Sequence, residues 1–161
     1  MKTFNSLEEL HKEWEINDAC IEGIEFNHSC KTLQEVFEKC PLKLRLWRLS
    51  RGYVQFEEHC PWDKLNGVDW ASLLSRQPKY AELCQWNKFE GYNWVYLLSH
   101  QPQFANICGW EKLDRFDWIV LLLERPQYVE YYKFNILHNK DWKFLVKQQP
   151  ALKNFYKKLK K

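Results

Sequence analysis

From Cys60 onward the apolar positions return every 24 residues without an insertion. In the first unit Trp70, Leu73 and Leu74 fall at i, i+3 and i+4, one face of a helix. The triad recurs as Trp94/Leu97/Leu98, Trp118/Leu121/Leu122 and, in a worn fourth unit, Trp142/Leu145/Val146. Pro78, Pro102, Pro126 and Pro150 follow at the same spacing. A proline pushes the preceding residue out of helical geometry, so each helix is predicted to stop just before it, near Arg76 in unit one. Proline itself suits the first position of a second short helix, to which Tyr80 and Leu83 lend an apolar side. Asp69, Asn93, Asp117 and Asp141 are read as N-caps. Gly67, Gly91 and Asn139 precede them as left-handed turn residues, and Arg115 breaks that series. Each unit is therefore two short helices and a loop.

Helices of roughly 8 and 6 residues do not hold in water by themselves. Units repeated at fixed period acquire stability by stacking. A second tryptophan series (Trp62, Trp86, Trp110) and a cysteine series (Cys60, Cys84, Cys108) run through three units. Each buried aromatic removes about 150–250 Å² from water, which explains how so short a repeat can cohere. The expected fold is all-α: an α-solenoid-like stack of four two-helix repeats over residues 60–155. Residues 1–59 form an N-terminal helical cap with a degenerate repeat at 30–59, and 156–161 a basic tail. Trp142, in the terminal unit, is expected to have one full neighbour.

Within the cap, Ser6 with Glu9 and Thr32 with Glu35 are capping boxes opening two helices. The first carries Leu7, Leu10 and Trp14 and ends at Asn17–Asp18; the second carries Leu33, Val36 and Phe37 and ends before Pro41. Cys20 to Phe26 is expected to be extended. From Leu42 to Arg51, Leu42, Leu46 and Leu49 share one side, Arg45, Arg48 and Arg51 recur every three residues, and Gly52 is the stop.

The chain of 161 residues suits one domain. It has no run of about 18 apolar residues, and the charged N-terminus does not read as a secretory signal, so no membrane span and a cytoplasmic location are expected. Cysteines on successive rungs about 8–10 Å apart do not reach the roughly 7 Å a disulfide requires. Residues 1–59 carry 8 Lys/Arg against 11 Asp/Glu, and residues 60–161 carry 16 against 10. Four of those 16 are Lys157, Lys158, Lys160 and Lys161, so the repeat body is only mildly basic.

Candidate chemistry is sparse. Cys20, His28, Cys30 and Cys40 lack a tight Cys-x-x-Cys pair, a weak zinc signal against ordinary packed side chains. His59–Cys60 beside Asp63 suggests a thiol and its base, but Cys84 and Cys108 have no such histidine, and packing explains all three. No phosphate loop, nucleophile elbow or His-Glu-x-x-His is present, so no catalytic residue, metal or cofactor is assigned. Arg45, Arg48, Arg51, Lys157 and Lys158 make nucleic-acid binding the alternative function. The preferred site lies in units two and three: Tyr92, Tyr96, Phe116, Ile119, Val120 and Leu123 are apolar at outer positions where unit one has Val68, Ser72, Ala71 and Ser75. A stack does not need apolar side chains there, and an exposed patch marks an interface. The expected function is a non-enzymatic scaffold that binds another protein, with self-association as a further option.

The string Cys-x-Trp-x-Lys-Leu-x-Gly-x-Asp-Trp-x-x-Leu-Leu-x-x-Gln-Pro-x-Phe, preceded by Cys40 to Trp62, resembles tandem repeats of uncharacterised bacterial and phage-associated proteins. The likeness covers roughly residues 30–130. Unit three departs from it with Arg115 for Gly and Arg125 for Gln, and unit four at most loop positions. The resemblance implies the repeat architecture and, as a special case of protein binding, an inhibitor of a host system.

Overall fold

The computed structural model of the chain describes residues 2–16, 21–133 and 135–159. Asn17–Asp18, Cys20, Phe134, Lys160 and Lys161 lie outside them. The fold is an all-α repeat stack. Its helices are α1 (Leu7–Ile16), α2 (Ile21–Ser29), α3 (Leu33–Lys39), α4 (Leu42–Ser50), α5 (Gly67–Arg76), α6 (Gly91–His100), α7 (Arg115–Glu124), α8 (Asn139–Gln148) and α9 (Lys153–Leu159). From α4 to α8 each helix packs against the next. Among the described residues no helix is long and apolar enough to cross a membrane.

The 24-residue unit has three parts. A ten-residue α-helix is followed by a six-residue 3₁₀ segment after the proline, as in Pro78–Leu83, and then by a 3₁₀ turn, as in Trp86–Lys88. The second helix is thus 3₁₀, the geometry short pieces commonly take. Trp70, Trp94 and Trp118 are buried at the centre. Each is faced by the loop tryptophan of its own unit: Trp62 on Trp70 at 5.7 Å, Trp86 on Trp94 at 5.4 Å, Trp110 on Trp118 at 5.5 Å, all stacked.

Several local readings need correction. The repeated Asp/Asn is the third helical residue, not the N-cap. Asn66 caps α5: the Asp69 N–H donates to Asn66 Oδ1 at 3.0 Å, and the Asn66 N–H donates back to Asp69 Oδ2 at 3.1 Å. Asp114 and Asp117 repeat the reciprocal pair in α7. Residues 21–26 belong to a helix rather than an extended segment; Ile21 and Ile24 recur every three residues, not every two, and Gly23 and Asn27, one turn apart, face inward.

Gly67 and Gly91 open their helices without positive φ, which among the described glycines belongs to Gly52. Their task is close approach. A Cβ on Gly67 would stand 2.5 Å from Asn93 Oδ1, and one on Gly91 would overlap the Asp117 carboxylate and stand 2.7 Å from the Lys112 carbonyl. At the next joint Arg115 occupies the glycine position and reaches Asp141 with two bonds, Nε to Oδ2 at 2.8 Å and a terminal nitrogen to Oδ1 at 2.6 Å. The same side chain of the following unit is met by bare glycine backbone in two joints and by a guanidinium in the third.

The motif's polar residues join one repeat to the previous one. Gln77 donates to the Ser50 carbonyl at 3.1 Å, Gln101 to Ser75 at 2.7 Å, Arg125 to Ser99 at 2.6 Å, and Gln149 to Leu123. Those acceptors lie in the last turn of the preceding helix, whose carbonyls have no partner within the helix. Arg125 replaces glutamine because it offers the same donor. Lys88 donates to the Asp63 and Leu65 carbonyls, and Lys112 to those of Asn87 and Phe89.

The C-terminal end is better covered than expected. Trp142 is buried between Tyr132, at 5.3 Å, and Phe155 and Tyr156 of α9, at 5.7 and 6.0 Å. A short helix takes the place of a fifth repeat, so the terminal tryptophan has aromatic neighbours on both sides.

Candidate interaction face

Because α5 to α8 start in the same register, each presents the same positions outward. The Trp–Leu–Leu triad points to the core. The ninth and thirteenth residues of the unit, one turn apart, point away from it. They form two rows across the stack: Val68, Tyr92, Phe116, Lys140, and Ser72, Tyr96, Val120, Phe144. Tyr92 and Phe116 are 58% and 69% exposed, and Tyr96 and Val120 each 44%. Ile119 and Leu123 are half-buried against the core. Four of the six residues assigned from sequence, on α6 and α7, are therefore open in the single chain, and the other two line the flank of α7.

The flank opens progressively along the stack. At the twelfth position Ala71 and Val95 are buried, Ile119 is half-buried and Lys143 is exposed; at the sixteenth Ser75 is buried, Ser99 and Leu123 half-buried and Lys147 exposed. Between α5 and α6 lies a groove of about 400 Å³, lined by Val68, Ala71, Ser72, Tyr92, Asn93 and Tyr96. A second, of about 250 Å³ between α4 and α5, continues past Ser72 to Lys43, Trp47 and Arg76. Phe144, exposed on α8, belongs to this face and was missed, although it shares a register with Tyr96 and Val120. Leu83 and Ile107 are also exposed, contrary to the apolar role assigned to Leu83 in its segment. Each ends its 3₁₀ segment, where the backbone turns to extended geometry at Cys84 and Cys108.

The arginine stripe proposed for nucleic acid is not a surface feature. Arg45 is 4% exposed and donates to the carbonyls of Phe37, Glu38 and Cys40 at 2.9–3.1 Å, satisfying the end of α3. Arg48 is fully buried, bonded to Asn27 Oδ1 at 2.6 Å and Cys40 Sγ at 3.1 Å, with its guanidinium over the Trp14 ring. Arg51 is exposed and stacks on Trp47 at 4.3 Å. A step of three residues turns about 60° short of a full circle on an α-helix, so the series rotates from the core to solvent instead of forming a stripe. Lys157 and Lys158 are exposed on α9, at the other end of the stack from α4.

The cysteine candidates are packed side chains. Cys60 is buried, and that burial pushes its thiol up to about 12; Cys84 is raised to about 12 for the same reason, the opposite of an activated nucleophile. Cys30, Cys40, Cys60, Cys84 and Cys108 are all free thiols. His28 is exposed with its ring on that of His11, at 4.5 Å, while Cys30 and Cys40 are buried; Cys20 is outside the described residues. Among the described residues no group of three or more His, Cys, Asp or Glu is placed to hold a metal.

Among the carboxylates, Asp141 is held well below its ordinary range. The Arg115 hydrogen bonds, with help from the His138 N–H, hold its carboxyl down from the ordinary 3.8 to about 2 despite burial. This charge serves the joint between units three and four and is not available to a ligand. Compared with known proteins, the chain matches no family model, no curated protein and no solved structure.

Proposed function

We propose that the chain is a cytoplasmic, non-enzymatic repeat scaffold that binds another protein through the outward face of α5–α7. The observation that carries this reading is the pair of adjacent rows that hold Tyr92 and Phe116, and Tyr96 and Val120, large apolar or aromatic side chains left open. Nothing in the stack requires it: the core uses the Trp–Leu–Leu triad, and the joints use the glycines, the Gln/Arg donors and the lysines of the loops. Aromatic side chains on a rigid helical platform are the kind of anchor that dominates protein interfaces. Repeat stacks vary such outer positions while keeping the core constant, and here the thirteenth position runs Ser72, Tyr96, Val120, Phe144. Inhibition of a host system is the special case suggested by the repeat resemblance.

Site-specific photo-crosslinking in cells of the native host tests the reading. A benzophenone side chain at Tyr96 or Val120 is expected to trap one discrete protein partner, and the same group at Glu25 on α2 is not. Adducts absent from the α6–α7 positions, or equal at all three, overturn it.

A further inference from the structure

The face changes character between α7 and α8. On α7 the ninth, twelfth, thirteenth and sixteenth positions are Phe116, Ile119, Val120 and Leu123; on α8 they are Lys140, Lys143, Phe144 and Lys147. All three lysines are exposed, and none belongs to an ion pair among the described residues. The acid of their own helix, Asp141, is buried and held by Arg115. Phe144 is exposed between Lys140, four residues before it, and Lys147, three after, which places both cations beside one apolar side chain. An apolar strip thus runs directly into an uncompensated cationic one.

We infer that the partner segment is an acidic amphipathic helix, lying across α6–α8 with its apolar side on Tyr96, Phe116 and Val120 and its carboxylates over Lys140, Lys143 and Lys147. This rests on the protein-docking reading above and adds the chemistry of the partner. Charge complementarity argues for the acid: three unpaired lysines on one face repel one another, and carboxylates placed over them relieve that repulsion and set the direction of the bound segment. Geometry argues for the helix. Packed helices stand about 8–10 Å apart, and seven residues of a helix rise about 10.5 Å, so apolar residues in heptad spacing meet successive helices of the stack. Spanning three helices takes a segment of about 14–20 residues. No strand is present among the described residues, so an extended peptide finds no sheet edge to join, and the helix-on-groove mode is the one this surface can use.

The test is a display selection from a library of amphipathic helices about 20 residues long, with apolar residues fixed at heptad spacing and the other positions randomised among Glu, Gln and Lys. The library is panned in parallel on the wild-type chain and on Lys140→Gln/Lys143→Gln/Lys147→Gln, whose exposed substitutions leave the helical circular dichroism intact. The wild type is expected to enrich helices with glutamates clustered at one end. Their affinity is expected to fall about tenfold in the triple variant and to weaken as salt rises. Neutral or Lys-rich winners, or Glu-rich winners that bind the variant equally well, overturn the acidic assignment while leaving protein docking to the crosslinking experiment. Failure to enrich any helix overturns the inference. Lysine-dependent binding to phosphatidylserine vesicles then identifies the occupant as a lipid surface, and a dimer in sedimentation identifies it as a second copy through its acidic residues 1–59.

Discussion

Replacing Gly91 with alanine asks whether the repeats meet as closely as the joint geometry requires. In an ordinary helical position the change stabilises by about 0.5–1 kcal/mol, because glycine loses more backbone freedom on folding. Here the new Cβ would overlap the Asp117 carboxylate and stand 2.7 Å from the Lys112 carbonyl. Neither neighbour yields freely. The carboxylate accepts from the Asp114 N–H at 3.0 Å in the capping box of α7, and Lys112 is tied into its turn by a bond to the Gly109 carbonyl at 2.9 Å. Relieving the overlap means opening the α6–α7 joint or breaking that cap, so the sign reverses and a loss of about 1–3 kcal/mol is expected. For a chain of this size each kcal/mol lowers Tm by about 2–4 °C. Urea unfolding followed by tryptophan fluorescence measures it. Gly109→Ala is the control: its nearest neighbour is the flexible end of Glu111 at 3.2 Å, and its change stays within about 0.5 kcal/mol. A Gly91→Ala variant more stable than wild type refutes the close-approach account.

Other consequences follow from the same joints. Gln101→Ala leaves the Ser75 carbonyl without its donor and is expected to cost about 1–2 kcal/mol in urea titration, whereas Gln101→Arg is near neutral because Arg125 already does that job one unit on. Asp141 has a folded pKa depressed below its unfolded value, so its contribution is complete above about 3.8 and is lost as pH falls through about 2. Wild type and Arg115→Gln are therefore expected to differ in thermal midpoint at pH 6 and to converge as pH falls from 4 to 2; a gap that persists at pH 2 contradicts the pairing. Trp94→Ala and Trp142→Ala are each expected to cost about 3–5 kcal/mol by chemical denaturation. A much smaller loss at Trp142 would mean that α9 does not close the stack.

The period, the long helix of each unit and its core triad were legible in the chain itself. They are local matters: an i, i+3, i+4 pattern and a downstream proline act within one turn of backbone, whatever lies next to it. The outward apolar rows were legible in outline for a related reason. A residue on the side of a repeat opposite its triad has no place in the core, so Tyr96 and Val120 could be assigned outward without knowing the neighbours.

What tertiary structure decided are the places where one element meets another. Arg45 and Arg48 read as a cationic stripe, yet they turn inward because α3 ends with free carbonyls beside α4 and Asn27 comes from a helix 21 residues earlier. Gly67 and Gly91 read as turn residues, but their lack of a side chain serves the following repeat rather than their own backbone, and the requirement vanishes at Arg115, where an ion pair fills the gap. The lysines of α8 border the exposed apolar rows only because α7 lies beside them. Periodicity gives each side chain an angle around its own helix. Which atoms wait at that angle is set by the stack, and that decides whether a charge is a joint, a cap or an exposed side chain.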